Sequence, residues 1–520
     1  MNGKNEQSPF PSVEPLNLSL AMTHSDGVDY DIGVSAKSIK IHHPIQTPRS
    51  EMDGNIPLTH SVSSTIFEIN QKLSFEEKPL LSNTPFGEDF NSLFQQKCRQ
   101  CFQICNFSDT THVSLIKQKE TIMKDMLNAV GKASSVKLFS EAEYSVLYKC
   151  FSKNVIRAVP NPPHIWFAPV CIDFTLDRVE EIGWSHLSLM YDILFTFLTN
   201  PSFNPKICDS EALSVIRRSI PMFESPDVRE REKLMSLYHA FYRAFRHFRS
   251  NARIFECSFL IKAQENPHCA LGCLNLLTAS VSIISGFKVP LQKEHVQYYK
   301  SVLLPLHHSS QIHMFHPALL SCIVAFLEKN PGLVDDAFDS LFLKWPLSNP
   351  TKEILYLQEI EVLSKYLIPD IASGIVLKIS KCVKNCIANT NFAIAEKALT
   401  MWENDNFVRL IQTQANVAYP ILLPTLFKTA QSHWFPDVKS LALLTMRILK
   451  SGNMEVFDLV GTKMKRTETD LVVSEMEKGL TWSSIAAKFS SSKTMQDRID
   501  YQLSDIYIGC ESLRKKSNKK

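Results

Sequence analysis

The sequence is poor in glycine and in the alternating apolar and polar residues that mark half-buried strands. Only 15 of its 520 residues are glycine, and the apolar residues, 44% of the chain, recur at spacings of three and four. Such spacing places apolar side chains on one face of a helix. The formal net charge of +3 is too small to select nucleic acid or an anionic membrane as a partner. The composition therefore predicts an all-α protein.

Sequence motifs of catalysis are also missing. The chain has no P-loop, no G-x-G-x-x-G, no H-E-x-x-H and no G-x-S-x-G. No glycine is followed by aspartate, which excludes the G-D-x-H-G signature of metallophosphoesterases. We therefore predict no catalytic residue, no cofactor and no enzymatic activity of the chain's own.

Cysteine and histidine are present, but without the spacing of a metal site. The 13 cysteines are an odd number and no apolar N-terminal signal precedes them, which favours free thiols over disulfides. Cys98, Cys101 and Cys105 have no second ligand pair after them and are expected to pack on one helix face. Four histidines in His307–His316 have no acidic neighbours, so we interpret the segment as a turn and predict no metal.

One segment is apolar enough to be considered as a membrane span. His268–Phe287 contains no Asp, Glu, Lys or Arg, but it includes Asn275 and several hydroxyl side chains. A spanning helix needs about 20 predominantly apolar residues. We therefore predict a buried helix here and no membrane span.

The chain divides into three regions by composition. Residues 1–88 are expected to be disordered, since the first 85 residues hold eight of the 27 prolines without a sustained apolar period. Residues 89–465 alternate helix-sized apolar segments with short breaks at a period of roughly 40 residues, typical of about eight HEAT-type helix pairs. Residues 466–520 predict a further helix and a basic tail, Leu513–Lys520. The fold prediction is an α-α superhelix of HEAT-like repeats, an armadillo-type solenoid, with a disordered N-terminal segment and tail.

Proline marks the expected breaks between helices, because it lacks the amide hydrogen that a helix interior needs. The breaks are predicted at Asn200-Pro201, Ser225-Pro226, Val289-Pro290, Asn330-Pro331, Trp345-Pro346, Ile368-Pro369 and Tyr419-Pro420.

A basic face is predicted on one helix near Arg231–Phe255. At about 100° per residue, one side of this helix collects His239, Tyr242, Arg246, Arg249 and Arg253. Guanidinium groups bind carboxylate or phosphate in a forked geometry, and tyrosine adds an apolar platform with a polar tip. Two interpretations stay open: a site for an acidic or phosphorylated peptide, and a solvated basic face with ion pairs to a neighbouring helix.

Several segments, in this order, resemble the B-prime family of regulatory subunits of protein phosphatase type 2A. The longest is Phe315–Leu363, in which an apolar helix, a proline turn and a second helix precede a Trp-Pro break. The others are Leu93–Phe102 (LFQQKCRQCF), Phe223–Glu232 (FESPDVRERE), Ser285–His295 (SGFKVPLQKEH), Leu303–His307 (LLPLH), Phe392–Trp402 (FAIAEKALTMW) and His433-Trp434. The resemblance spans about Leu93 to Val460. It implies a HEAT-like array that binds the phosphatase scaffold and catalytic subunits and directs the enzyme to substrates.

The resemblance also implies a groove for substrate peptides of the LxxIxE type. The family's His-Arg-x-Tyr pattern corresponds to His239, Ala240, Phe241 and Tyr242, so the arginine is lost here. The next groove arginine of the family matches Arg249. Arg246, where the family has an apolar residue, is expected to replace part of the lost charge.

The remaining groove positions come from two later segments. The apolar wall matches Ala279 and Ile283, where the family has two isoleucines. The lysine and histidine of the acidic pocket match Gln292 and His295, so a second cation is lost. We expect a groove that prefers anionic peptides but binds the family motif more weakly or in altered form.

A further departure lies before Trp184, where the family has a dense acidic loop. Here Val170–Gly183 keeps only four carboxylates, Asp173, Asp177, Glu180 and Glu181.

The alternative to a phosphatase regulatory subunit is a generic α-solenoid scaffold or transport adaptor with an acidic-peptide groove. It explains the periodicity but not the ordered segments of resemblance. We expect the protein in the cytoplasm, with the nucleus as a second location because the tail is basic.

Overall fold

The computed structural model describes residues 73–160 and 179–489. Over these residues the chain is helical and contains no strand, so the predicted all-α solenoid class is confirmed. The helices are α1 (Glu88–Gln100), α2 (Val113–Gly131), α3 (Ala133–Val136), α4 (Glu141–Val155), α5 (Trp184–Thr199), α6 (Asp209–Ser219), α7 (Val228–Ala244), α8 (Arg249–Glu265), α9 (Ala270–Ser285), α10 (Lys293–Tyr298), α11 (His316–Leu327), α12 (Val334–Leu343), α13 (Pro350–Leu363), α14 (Ser373–Ile387), α15 (Phe392–Thr400), α16 (Asp405–Thr413), α17 (Ala415–Ser432), α18 (Pro436–Gly452) and α19 (Met454–Phe489).

Helices two apart in the chain pack against each other in the first half of the array. α2 packs on α5, α5 on α7, α7 on α9, and α9 on α11. Buried side chains form one continuous hydrophobic cluster from Leu81 to Val460. Each helix thus covers the apolar face of its neighbours, which is how a solenoid distributes its stability along the chain.

Local capping signals fix many of the helix starts. Ser140 and Glu143 form a reciprocal capping box at α4, and the Asp227 carboxylate accepts the Arg229 amide at the start of α7. Asn349 likewise caps α13 through the Lys352 amide. These side chains satisfy amide groups that have no partner within the helix.

Most predicted proline breaks fall between helices, but Tyr419-Pro420 does not. Pro420 and Pro424 both lie inside α17. Tyr419, Leu422 and Leu426 are fully buried there, and the helix packs against α14, α18 and α19. Tertiary packing holds this segment helical despite the two missing amide hydrogens.

Packed structure extends past both expected bounds of the array. Ahead of residue 89, Leu81 is buried and its amide donates to both carboxylate oxygens of Asp125, at 3.2 and 3.0 Å. Asp125 also pairs with buried Lys97 at 2.7 Å. At the other end, α19 runs unbroken through residue 465. Residues 1–72 and 490–520, including the basic tail, lie outside the described part of the chain.

The apolar segment predicted at 268–287 forms a helix that belongs to the core. Among the described residues, Pro267–Ser285 alone is long and apolar enough to cross a membrane by length and composition. Of its apolar window, 67% is buried against other helices. Neighbouring helices, rather than lipid, cover this surface.

Candidate functional site

The predicted single helix over Arg231–Phe255 is wrong, because the chain leaves the helix at Phe245. α7 ends at Ala244, a 3₁₀ turn covers Arg246–Phe248, and α8 begins at Arg249. Phe245 has φ −101° and ψ 74° and is fully buried, with its ring 4.6 Å from that of Phe241. Burial of this ring favours the break over continued helix. A helical wheel therefore does not apply across residues 245–248.

The break nevertheless keeps three predicted site residues together. The Arg249 Nε donates to the Tyr242 carbonyl at 3.0 Å, one of the carbonyls left free at the end of α7. Its guanidinium carbon lies 5.1 Å from the centre of the Tyr242 ring. The Arg253 Nη1 donates to the Tyr242 hydroxyl at 2.8 Å. Tyr242 is thus held between two guanidinium groups.

A second group of predicted residues lies on α9 and α10. Ala279 and Ile283 are each 6% exposed and one helical turn apart. The His295 ring stacks on Phe287 at 3.7 Å between centroids. Arg253 reaches this group, with its guanidinium carbon 5.9 Å from the Phe287 ring. Arg253 therefore connects α8 with the segment before α10.

His295 is buried, and part of its hydrogen-bonding capacity is unused. Its Nδ1 is buried without a hydrogen-bond partner in the described part of the chain, and its Nε2 is 3.5 Å from a Glu294 carboxylate oxygen. Burial and nearby Arg253 lower the pKa of His295. The imidazole is therefore neutral at physiological pH and has one nitrogen free for a ligand.

Four predicted residues make no hydrogen bond to this cluster. His239 is half-buried, and burial together with Arg243 lowers its pKa. Arg246 is exposed on the 3₁₀ turn, and Gln292 is exposed immediately before α10 without capping it. Ala240, in the position of the lost arginine, is only 5% exposed.

An acidic residue that the sequence did not single out already occupies the basic cluster. Glu294, on α10, accepts a short hydrogen bond from the Arg253 guanidinium. The Arg253 side chain is 13% exposed and that of Glu294 is 49% exposed. An incoming anionic group that binds Arg253 therefore competes with a carboxylate of the chain itself.

A buried carboxyl group beneath the cluster joins four helices. Glu256 on α8 accepts hydrogen bonds from Tyr238 of α7 at 2.7 Å, Ser280 of α9 at 2.5 Å and Tyr298 of α10 at 2.5 Å. Burial raises its pKa, although the three hydroxyl groups oppose this. The only sequence signal for Glu256 is a charge among the apolar positions of α8.

The segment expected to resemble the family's acidic loop is anchored on α7. Asp173 and Asp177 lie outside the described residues, but Glu181 is buried and 3.2 Å from the Arg157 guanidinium. Arg157 also donates to both oxygens of Glu230 at 2.7 and 2.8 Å. Although burial opposes its charge, the two carboxylates raise the pKa of Arg157. Glu181 is therefore committed to a structural pair.

The histidines of His307–His316 are joined by a carboxylate from a distant helix. Glu359 of α13 lies 3.0 Å from the His307 Nε2 and 2.9 Å from the His316 Nε2, and all three side chains are buried. Although burial opposes it, the two imidazoles lower the pKa of Glu359 to about 2. Among the described residues, no group of three His, Cys, Asp or Glu is placed to hold a metal ion. Every described cysteine is a free thiol.

An all-α solenoid with a basic, partly apolar cluster on consecutive helices is the class of protein that the fold defines. The sequence model of the protein phosphatase 2A regulatory B subunit (B56 family) matches residues 78–489. The chain belongs to this family.

Individual relatives show the same likeness over most of their length. The chain is 30% identical to the human 56 kDa regulatory subunit alpha isoform of serine/threonine-protein phosphatase 2A, over 78% of this chain and 83% of the relative. It is 28% identical to the delta 1 isoform of Schizosaccharomyces pombe, over 82% and 79%. It is 29% identical to the 59 kDa B' eta isoform of Arabidopsis thaliana, over 78% and 80%.

Proposed function

We propose that this protein is a non-catalytic regulatory subunit that joins the scaffold and catalytic subunits of protein phosphatase 2A and recruits substrates to them. The family match over residues 78–489 carries this proposal. Recruitment raises the local concentration of a substrate at the active site without new chemistry. The generic solenoid scaffold is the weaker candidate, because it does not account for the family match.

Exposed aliphatic side chains at two turns support association with large protein partners. Leu343 and Leu347, around the turn between α12 and α13, are 70% and 75% exposed. Ile368 and Ile371, between α13 and α14, are 61% and 75% exposed. Exposed large apolar groups of this kind are common at protein–protein interfaces.

Co-purification tests this part of the proposal. The full-length tagged protein is expected to bring down the phosphatase scaffold and catalytic subunits together. Leu343→Ser with Leu347→Ser is expected to reduce their recovery, whereas Leu443→Ser with Leu444→Ser on α18 provides a control pair that is similarly exposed. Recovery of a different cargo without either phosphatase subunit would contradict the proposal.

The groove around Tyr242 is proposed to bind a short anionic peptide of the LxxIxE type. Arg249 and Arg253 supply the positive charge, and Ala279 with Ile283 supplies a small apolar wall. The missing cations at Ala240 and Gln292 reduce the expected affinity, since a hydrogen bond to a charged group is worth roughly 1.5–3 kcal/mol. Loss of one such bond weakens a peptide about tenfold or more.

Titration with an LxxIxE peptide, and with the same peptide carrying glutamine for its final glutamate, tests the groove. Arg253→Gln is expected to weaken the first peptide and to have little effect on the second. Arg447→Gln, on exposed α18, removes the same charge away from the groove and is the matched control. Equal binding of the two peptides would contradict an acid-binding groove.

We also propose that the protein is cytoplasmic, with the nucleus as a second location. Fluorescence imaging of the full chain and of a form with the lysines and arginine of 513–520 replaced by serine tests the role of the tail. A nuclear fraction that is unchanged by this replacement would exclude the tail as the import signal.

A further inference from the structure

A second pocket lies between α4 and α6, and none of its lining residues belongs to the groove. Its volume is about 480 Å³. This is within the usual range of small-ligand sites, roughly 300–1,000 Å³. Lys149, Ser152 and Lys153 of α4 face Ser214 and Arg218 of α6 across it. The spacings of three and four place these residues on the facing sides of the two helices.

The pocket carries three cations that have no partner in the protein. Lys149, Lys153 and Arg218 are exposed, and none of them forms a hydrogen bond or ion pair through its side chain within the described residues. The one carboxylate of the lining, Glu211, accepts the Ser145 hydroxyl at 2.9 Å to each oxygen. Three positive charges and one negative charge leave the pocket at +2.

The floor of the pocket contains an unpaired hydroxyl group. Tyr148 is 2% exposed, and its buried phenolic oxygen has no hydrogen-bond partner among the described residues. A buried hydroxyl without a partner is unfavourable, so such groups point to a missing ligand or water. Burial raises the pKa of Tyr148, which keeps the phenol protonated as a donor. Ile156 and Val215 add apolar wall beside it.

We propose that this pocket binds the phosphate monoester of a phosphorylated serine or threonine in a partner protein. A phosphorylated side chain carries a charge of about −1.5 to −2 at neutral pH, which complements the pocket, and three acceptor oxygens. Lys149, Lys153 and Arg218 supply the positive charge, and Tyr148 donates from the floor. The apolar walls accept the aliphatic stem, and the exposed rim lets the flanking peptide continue. The proposal rests on the pocket alone and is independent of the groove.

The test uses the full-length protein and a short fluorescent peptide of alanine and glycine with one central phosphoserine. Fluorescence anisotropy is expected to show that the phosphopeptide binds about tenfold or more tightly than the unphosphorylated peptide. Lys149→Gln with Lys153→Gln is expected to remove most of this difference. Tyr148→Phe keeps the packing of the ring and is expected to weaken only the phosphopeptide.

Controls separate a built site from general electrostatic attraction. Lys381→Gln with Lys384→Gln removes two other exposed, unpaired lysines from α14 and is expected to leave phosphopeptide binding unchanged. Binding of the LxxIxE peptide to the pocket variants reports that the array is folded. Equal binding of both alanine–glycine peptides, or equal weakening by the two lysine pairs, would overturn the proposal. Inorganic phosphate that binds as tightly as the phosphopeptide would overturn the assignment to a protein side chain.

Discussion

At the scale of single residues, Glu294 limits access to Arg253. The pair is partly exposed, and such ion pairs contribute about 0.2–1 kcal/mol. Glu294→Gln is therefore expected to raise the affinity for an LxxIxE peptide about two- to fivefold. Isothermal titration calorimetry measures this change. Glu455→Gln, on the exposed start of α19, is the matched control, and an unchanged or lower affinity of Glu294→Gln would show that Glu294 does not compete.

Glu359 is expected to make the array sensitive to acid. Its pKa is about 2 in the folded protein, whereas an unperturbed glutamate has a pKa of about 4.3. A lowered folded pKa contributes stability that is present above the unfolded pKa and is lost as pH falls from about 4.3 towards 2. The shift corresponds to roughly 3 kcal/mol of unfolding free energy. Urea denaturation between pH 7 and pH 3 is expected to show this loss.

The variant Glu359→Gln provides the comparison. It leaves His307 and His316 without their buried carboxylate, so a loss of about 3–5 kcal/mol at pH 7 is expected. Its remaining stability should depend less on pH below 4.3 than that of the wild type. Glu403→Gln, which is exposed, is expected to change neither quantity. The same acid sensitivity in Glu359→Gln would assign the effect to other carboxylates.

At the scale of elements, close packing at Gly272 fixes α9 against the turn at residues 220–224. A Cβ atom added at Gly272 would lie 2.5 Å from the Phe223 carbonyl oxygen. Gly272→Ala is therefore expected to destabilise the protein by about 1–3 kcal/mol, as overpacking does. At Gly461, inside α19, no atom lies within 4 Å of the added Cβ. Gly461→Ala is expected to stabilise by up to about 1 kcal/mol.

Denaturant unfolding of these two variants gives effects of opposite sign if contact, rather than helix propensity, controls Gly272. Stabilisation by both substitutions would mean that α9 moves away from Phe223 at little cost.

The sequence predicts helices well where local signals act alone. Proline breaks such as Asn330-Pro331 fall where expected, since a cap and a proline suffice to start the next helix. The break at Phe245 and the continuity through Pro420 were not predictable, because buried neighbours from other helices decide both.

The candidate groove shows the same division. Tyr242, Arg249 and Arg253 follow from residue type and spacing. Glu294 is 41 residues from Arg253 in the chain, and Glu359 is 52 residues from His307. Side-chain pairs of this range depend on how the repeats stack, which one sequence does not specify.

At the scale of the whole molecule, the first part of α19 closes the array. Val456, Phe457, Val460 and Met464 pack on the core, with Phe457 6.5 Å from Phe427 of α17. A chain that ends after Lys465 is therefore expected to melt at the temperature of the full protein. A chain that ends after Gly452 exposes the apolar faces of α17 and α18 and is expected to aggregate. Scanning calorimetry and size-exclusion chromatography distinguish the two.

Such a result would place the functional end of the array near Lys465. Equal melting of both shortened chains would instead show that α19 adds nothing to the array.

The pairing of Arg253 with Glu294 makes ligand capture an exchange of partners. A peptide carboxylate that takes Arg253 releases Glu294 to water, so the number of ion pairs in the groove stays the same. Dissolved salt weakens the old pair and the new one alike. The affinity of the groove should therefore vary little with ionic strength, and discrimination among anionic peptides should depend on the shape of their apolar residues rather than on their total charge.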